Sequence, residues 1–359
     1  MLKMIEGFDH FTGGVATTVG SYPVLLTTKN WNFIMPTGSS VGGELTTGRV
    51  DGRCFHWSAN TGGINGECEA YKLFPAALTT LSVGFALQRD SFAAGPFGAN
   101  VFIILRAGGS DVLRLRHNSG GQLLVYNSSD SLIATGSFAM TSSAWHYIEL
   151  KILVNGASST LETQLNGGPD IPVFTTNLGS SGIDRIVLYA HRRDGTFPNG
   201  TNLFYDDIYV CDGSAPNTGF LGDCHISTIY PASDGTHQQW TPNSGTAHYS
   251  RVNEHSPDDD TSYVSDNNTG DRDSYHLDTL VGVGAVKGLQ INQYSRKFDS
   301  GSRSITPSIR RSGTTYSGTV QALSTSYVDH TQLYDTDPST SAAWTVAGIN
   351  AGEFGSEAA

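Results

Sequence analysis

Charge is scarce in this chain. Asp, Glu, Lys and Arg make up only 15% of its 359 residues, and no block of Lys or Arg is longer than the pairs Arg192–Arg193 and Arg310–Arg311. A surface that tracks phosphates needs clustered positive charge, whereas the balance here is 33 acidic against 21 basic residues, a formal net charge of -12. Neither nucleic acid nor a membrane of anionic lipid is therefore an expected partner. Long apolar runs are missing too: nowhere do enough apolar residues follow one another to make a membrane-crossing helix. The opening MLKMIEGFDHF sets Glu6, Asp9 and His10 where a secretory signal needs an unbroken apolar stretch. The expectation is a soluble chain, made in the cytosol and unprocessed. The Ala/Glu/Lys/Leu runs that build helices are equally absent, while 42 Gly and abundant Thr, Ser, Val, Tyr and Phe point to an all-β protein.

Only four cysteines occur, Cys54, Cys68, Cys211 and Cys224, and their gaps match no paired CxxC zinc pattern. No metal and no cofactor is expected. Cys54 with Cys68, or Cys211 with Cys224, could each close a short loop. In a reducing cytosol such residues instead stay thiols, used as small buried apolar groups.

What is present is a strand grammar. From Trp145 to Cys211 the chain reads WHYIELKILVNGASSTLETQLNG, a short link, then GIDRIVLYAHRRDGTFPNGTNLFYDDIYV. That is strand, Asn-Gly turn, strand, Asn-Gly turn, strand and a closing pair. In the last strand Ile208 and Val210 alternate with Asp207 and Tyr209, as in a sheet packed on one face. Upstream, EGFDHF, WNFIM, RCFHW, LSVGFALQ, VFIILRAG, DVLRLRHN, GQLLVYN and SLIATGSF are strand candidates between Gly- and Thr-rich turns. In the hairpin DVLRLRHN/GQLLVYN, Val112, Leu113 and Leu115 should pack while Arg114 and Arg116 face water. About a dozen such strands make two stacked sheets, a jelly roll. The segment CDGSAPNTGFLGD has linker chemistry and places a domain boundary near Pro216, giving domains 1–215 and 216–359. Residues 234–277 read as a long polar loop dotted with aromatics. Further strands follow in VGVGAVKGLQINQYSRKF, RSITPSIRRSG, TTYSGTVQALS and SYVDHTQLYDTDP, so the second domain is a smaller β-sandwich.

With Trp145 opening a strand, Asn166–Gly167 at a hairpin tip and Asp206–Asp207–Ile208 in the closing strand, the first two hundred residues or so resemble a concanavalin A-like jelly roll of the laminin-G/lectin type. The second half combines GFLGDCHISTIYPASDG, QWTP, VNEHSPDDDTSYV, AVKGLQINQYSRK, IRRSGTTYSG and YDTDPSTSAAWTVAGINAGEFG. Over residues 219–355, with Asp258 to Tyr263 and Asp337–Pro338 with Trp344–Thr345 as the best pieces, it resembles structural proteins of tailed bacteriophages. That resemblance implies a non-enzymatic component of the virion, on the tail or decorating the capsid, made in the host bacterial cytoplasm. Its partners would be other virion proteins, further copies of itself as a homo-oligomer, and bacterial surface polysaccharide. The alternative is a receptor-binding lectin or a glycan depolymerase of the tail.

No catalytic residue is expected. Jelly-roll glycan hydrolases place two carboxylates on one strand face in a Glu-x-Asp-x-x-Glu pattern; Glu67–Cys68–Glu69 lacks both the Asp and the third carboxylate. Gly38–Ser39–Ser40–Val41–Gly42 matches Gly-x-Ser-x-Gly, but the GELTTGRVDG that follows cannot be the helix a nucleophile elbow requires, so a Gly/Ser loop is expected. Asp206–Asp207 and Asp258–Asp259–Asp260 carry the oxygen ligands calcium prefers, yet neither fits an EF-hand. Acidic solvated turns are expected at both. His237, His248, His255 and His276 lack metal-ligand spacing and read as loop hydrogen-bonders; Trp240, Tyr249, Tyr263 and Tyr275 read as contact residues for a neighbouring subunit or a sugar ring.

Overall fold

The computed structural model describes residues 1–11, 31–34, 41–59, 66–92, 100–192, 202–255, 257–282 and 284–359. They divide into two compact units, Met1–Ile226 and Ser227–Ala359. The expected boundary at Pro216 lies before that division, because residues 217–226 fold back onto the first unit.

In the first unit the strands in chain order are β1 (Leu2–Glu6), β2 (Trp31–Ile34), β3 (Val41–Thr47), β4 (Arg53–Ala59), β5 (Gly66–Leu78), β6 (Thr80–Arg89), β7 (Asn100–Ala107), β8 (Ser110–His117), β9 (Gln122–Asn127), β10 (Leu132–Ala139), β11 (Trp145–Leu153), β12 (Ser159–Leu165), β13 (Gly168–Thr176), β14 (Ile183–Arg192) and β15 (Leu203–Cys211). They form two antiparallel sheets: β13-β12-β11-β6-β15-β4-β3, with β1 also on β15, and β10-β9-β8-β7-β14-β5-β2. Alternation explains what fills the space between them. Val83, Phe85 and Leu87 of β6 and Ile148, Leu150 and Ile152 of β11 share one core with Ile103, Leu105, Leu113, Leu115, Ile186 and Leu188 of the second sheet. The fold class is the all-β jelly-roll sandwich read from the sequence.

The tip joining β12 to β13 has Asn166 and Gly167 at φ of 51° and 77°, the left-handed pair that suits a two-residue hairpin. Two strand readings change. EGFDHF is not a strand: β1 ends at Glu6, and Phe8, at φ 58°, turns the chain. The thirteen-residue β5 was not among the candidates, although Glu69, Tyr71 and Leu73 alternate in it with buried Cys68 and Ala70.

The second unit contains β16 (Pro231–Gln238), β17 (Thr241–Pro242), β18 (Val264–Ser265), β19 (Arg272–Leu277), β20 (Leu289–Ser295), β21 (Ser304–Arg311), β22 (Thr314–Ser317), β23 (Gln321–Ala322), β24 (Val328–Tyr334), α1 (Val346–Asn350) and β25 (Glu353–Ala358). Strands β16, β19, β25, β21 and β22, with β23 on β21, make one sheet, and β20 pairs with β24 as a ribbon. Ile309, Phe354, Trp344 and Ile349 form the core, against which Leu289, Ile291 and Tyr334 of the ribbon pack. Within the segment expected to be a polar loop lie β17, β18 and β19, and β16 runs into its start. Tyr275 is accordingly a buried core residue rather than a contact aromatic.

Candidate functional site

The outward face of the second sheet of the first unit carries a network of ion pairs and rings around a buried centre, with Ile104, Val187 and Tyr189 at 2%, 0% and 6% exposure. Register places Asn32, Tyr71, Val187, Ile104, Arg114 and Tyr126 in one row across six strands, since Asn32 pairs with Tyr71, Tyr71 with Val187, Val187 with Ile104, Ile104 with Arg114 and Arg114 with Tyr126. Their centre is apolar: Ile104, Val187 and Tyr189 form a small cluster with Tyr71 and Val101, separate from the main core. Around it runs a chain of ion pairs. Arg106 donates from Nη1 and Nη2 to the two oxygens of Glu69, both at 2.6 Å, and from Nε to Asp111 at 2.5 Å. Arg114 bridges Asp111 (2.6 Å) and Asp130 (2.7 Å), and Arg116 also pairs with Asp130. The hydrogen bonds it donates to Glu69 raise the Arg106 guanidinium above its ordinary range, so it stays charged. Two rings carry cations: Arg116 lies 4.1 Å from the Tyr126 centroid and Arg185 lies 5.4 Å from that of Tyr71.

Arg114 and Arg116, expected to face water, are on the outward face but half-buried, because the carboxylates beside them hold the side chains flat. Of Glu67–Cys68–Glu69, Cys68 points into the core, Glu69 is the partner of Arg106, and the Glu67 side chain lies outside the described residues. Gly38, Ser39 and Ser40 also lie outside them; Val41 and Gly42 begin β3, paired with Ala59 and Ser58, and an extended strand rather than a helix follows.

The outward face of the first sheet is built differently. β15 shares one edge between two partners, β4 along Leu203–Tyr205 and β1 along Ile208–Cys211, and its register against β6 shifts between Asp206 and Tyr209. At that bulge Asp207 takes φ 51°, so Asp206 and Asp207 both stand on the outward side, where Arg49 and the returning chain cover them. The expected solvated turn at Asp206–Asp207 is thus corrected: the two are 2% and 0% exposed. Arg49 donates from Nε to Asp207 (2.8 Å), from Nη1 to Asp223 (2.5 Å) and from Nη2 to the carbonyl of Cys224 (2.7 Å). The two ring nitrogens of His225 face Asp207 and Asp51, each at 3.1 Å. The hydrogen bond to Asp207 pushes His225 up to about 9. Burial raises Asp9 to about 7, and burial beside Asp207 raises Asp206 as well. Residues 217–226 strap this face: Leu221 N–H donates to the Tyr209 hydroxyl (3.1 Å), Gly222 N–H to Glu149 (2.9 Å) and Ile226 N–H to Asp207 (2.7 Å).

The other sequence candidates disperse. Cys54, Cys68 and Cys211 are buried, Cys224 is half-buried, and no disulfide joins any of the four. His248 bonds the buried Asp273 at 2.9 Å, His237 approaches Thr315, His255 stacks on Tyr230, and His276 is exposed on β19. Trp240 donates to the carbonyl of Asp271, and Tyr249 lies in a short 3-10 turn. Asp258–Asp260 is an exposed turn, but its carboxylates are engaged, Asp260 by Arg296. Among the described residues no group of three or more His, Cys, Asp or Glu is arranged to hold a metal ion.

Residues of the arginine–tyrosine face other than Glu69, Arg114 and Arg116 were missed. The signal existed for Tyr71 in the period-two alternation of β5. For Arg106, Tyr126, Arg185 and Tyr189 only sheet register brings them together.

No family model matches the chain, and no curated protein matches its sequence. Among solved structures it is similar to the cellulose-induced protein Cip1, at 20% identity over 52% of this chain and 92% of that one, with a TM-score of 0.40. It is also similar to the alginate lyase vAL-1 from Chlorella virus, at 15% identity over 55% of this chain and 100% of that one, with a TM-score of 0.38. A third is a GH131 beta-glucanase catalytic domain from Podospora anserina, at 13% identity over 45% and 73%, TM-score 0.34. Likeness at these identities concerns the fold alone.

Proposed function

We propose that the chain is a non-enzymatic component of a tailed-bacteriophage particle whose first unit holds bacterial surface polysaccharide on the outward face of its second sheet. The observation that carries the glycan reading is the row from Tyr71 to Tyr126 with its fringe of arginine–carboxylate pairs. Aromatic rings offer broad, rigid contact to the C–H faces of sugars, and planar guanidinium and carboxylate groups match pairs of hydroxyls. Binding rather than turnover is supported by the state of the acids: both oxygens of Glu69 are taken by Arg106 and both of Asp111 by Arg106 and Arg114. The virion placement rests on the sequence pattern of residues 219–355, with other virion proteins and further copies of the chain as partners. Many copies on one particle would make weak single-site binding effective.

The test uses the full chain on an array of purified bacterial capsular and O-antigen polysaccharides. Retention on at least one is expected, reduced about tenfold by Tyr126→Ala, the loss of one stacking ring at a desolvated site. A blank array, or retention unchanged in that variant, removes this face as the site. Release of reducing sugar from the retained polysaccharide overturns the non-enzymatic reading, and absence of the chain from purified particles overturns the virion placement.

A further inference from the structure

The second unit carries a row of planar side chains that its core does not use. Tyr294 at the end of β20 and Tyr327 just before β24 lie parallel, their centroids 5.0 Å apart and their planes 9° from one another. The Arg296 guanidinium is 5.1 Å from the Tyr327 centroid and 4.3 Å from that of Phe298, and Tyr263 adjoins Phe298 at 5.8 Å. Phe298 is 64% exposed.

The row is held in place beforehand. Arg296 Nη2 donates to Asp260 at 2.7 and 2.8 Å, and the hydroxyls of Tyr327 and Tyr294 donate to Asp260 (2.8 Å) and Asp259 (3.2 Å). The acidic turn is itself fixed, with Thr261 N–H donating to the carbonyl of Asp258 and the Ser262 hydroxyl to its carboxylate. Asp259 stands at φ 54°, in the left-handed region that Asp tolerates. An exposed phenyl ring backed by a guanidinium and rimmed by carboxylates and hydroxyls is apolar on one face and hydrogen-bonding at its edge.

We propose that this row binds a neutral hexopyranose chain, the C–H face of one sugar stacking on Phe298 and its hydroxyls meeting Asp259, Asp260 and Arg296. Three observations select that occupant. One exposed ring with a polar rim falls far short of the roughly 800 Å² per partner that a stable protein interface buries. The carboxylate rim and the formal charge of -12 disfavour acidic sugars. A base-stacking platform for single-stranded nucleic acid needs a positive groove, and Arg296 is neutralised by Asp260. The site is separate from the arginine–tyrosine face and does not depend on that reading.

Saturation-transfer NMR on the full chain with maltohexaose, cellohexaose and mannohexaose, and with dextran sulfate as the charged control, tests it. Transfer to at least one neutral hexasaccharide is expected; Phe298→Ala weakens it about tenfold and Arg296→Lys measurably, since Lys keeps the charge but not the plane. Lys151→Ala, on β11 of the first unit and outside both faces, leaves it unchanged. No neutral hexasaccharide bound, Phe298→Ala binding like the parent, preference for dextran sulfate, or a dimer that Phe298→Ala dissociates in sedimentation each overturns the proposal. Should Phe298→Ala fail to fold, parent-like binding by Arg296→Lys overturns it and weakened binding sustains it.

Discussion

Gly84 shows how much of the first unit turns on single atoms. A Cβ at this position would stand 2.1 Å from Cε1 of Tyr209, whose ring lies across the glycine. That ring delivers the hydroxyl that donates to Glu149 at 2.5 Å, and Glu149 is fully buried with its other carboxylate oxygen unpartnered. Forcing the ring aside both overpacks the site and strips a buried carboxylate of one donor. Gly84→Ala is therefore expected to destabilise the chain by about 2 kcal/mol or more, measured by denaturant unfolding against the parent. An unchanged midpoint would mean that Tyr209 finds another seat. Gly7 has the matching role beneath the strap, where a Cβ would meet the Ile226 carbonyl at 2.7 Å.

The strap of residues 217–226 is the element whose behaviour the charges govern. Against it stand Asp9, Arg49, Asp51, Arg53, Asp206 and Asp207 with Tyr147, Glu149 and Tyr209, and on the strap itself Asp223, Cys224 and His225. Asp9, at about 7 instead of 3.8, and His225, at about 9 instead of 6.5, hold protons that the unfolded chain releases earlier. Stability from both is complete below the unfolded values and is lost as the pH climbs through about 7 and then about 9. Amide exchange of 217–226, corrected for its intrinsic pH dependence, should accelerate between pH about 4 and about 9 relative to the core strands. Asp9→Asn, which mimics the protonated acid, should flatten the lower part of that rise, and His225→Gln the upper part. Equal protection at both ends of the range contradicts the mechanism. Glu6 has the opposite sign: Lys72, His10 and Trp31 overcome its burial and hold it at about 2, so its contribution fails only in strong acid.

At the scale of the whole molecule the net charge is -12, and among the described residues Arg106, Arg114 and Arg296 are tied into carboxylate pairs that neutralise them locally. Fluorescence anisotropy with a labelled duplex should show no binding at about 50 mM salt, where phosphate contacts are strongest; measurable affinity there would reopen nucleic acid as a partner. The sequence by itself determined the all-β class, most strands of the first sandwich and the Asn166–Gly167 tip, because period-two alternation and left-handed turn residues are local properties of neighbouring positions. It also marked Arg114, Arg116 and Glu69 without naming the groups they pair with. Tertiary structure alone decided that Asp206 and Asp207 are buried, since a bulge on β15 sets both on the outward side and the return of the chain at 217–226 covers them. It likewise decided the row from Tyr71 to Tyr126 and the stack around Arg296, whose members come from strands and turns far apart in the chain. Register and closure between distant segments set those neighbours, and a linear pattern carries no term for either.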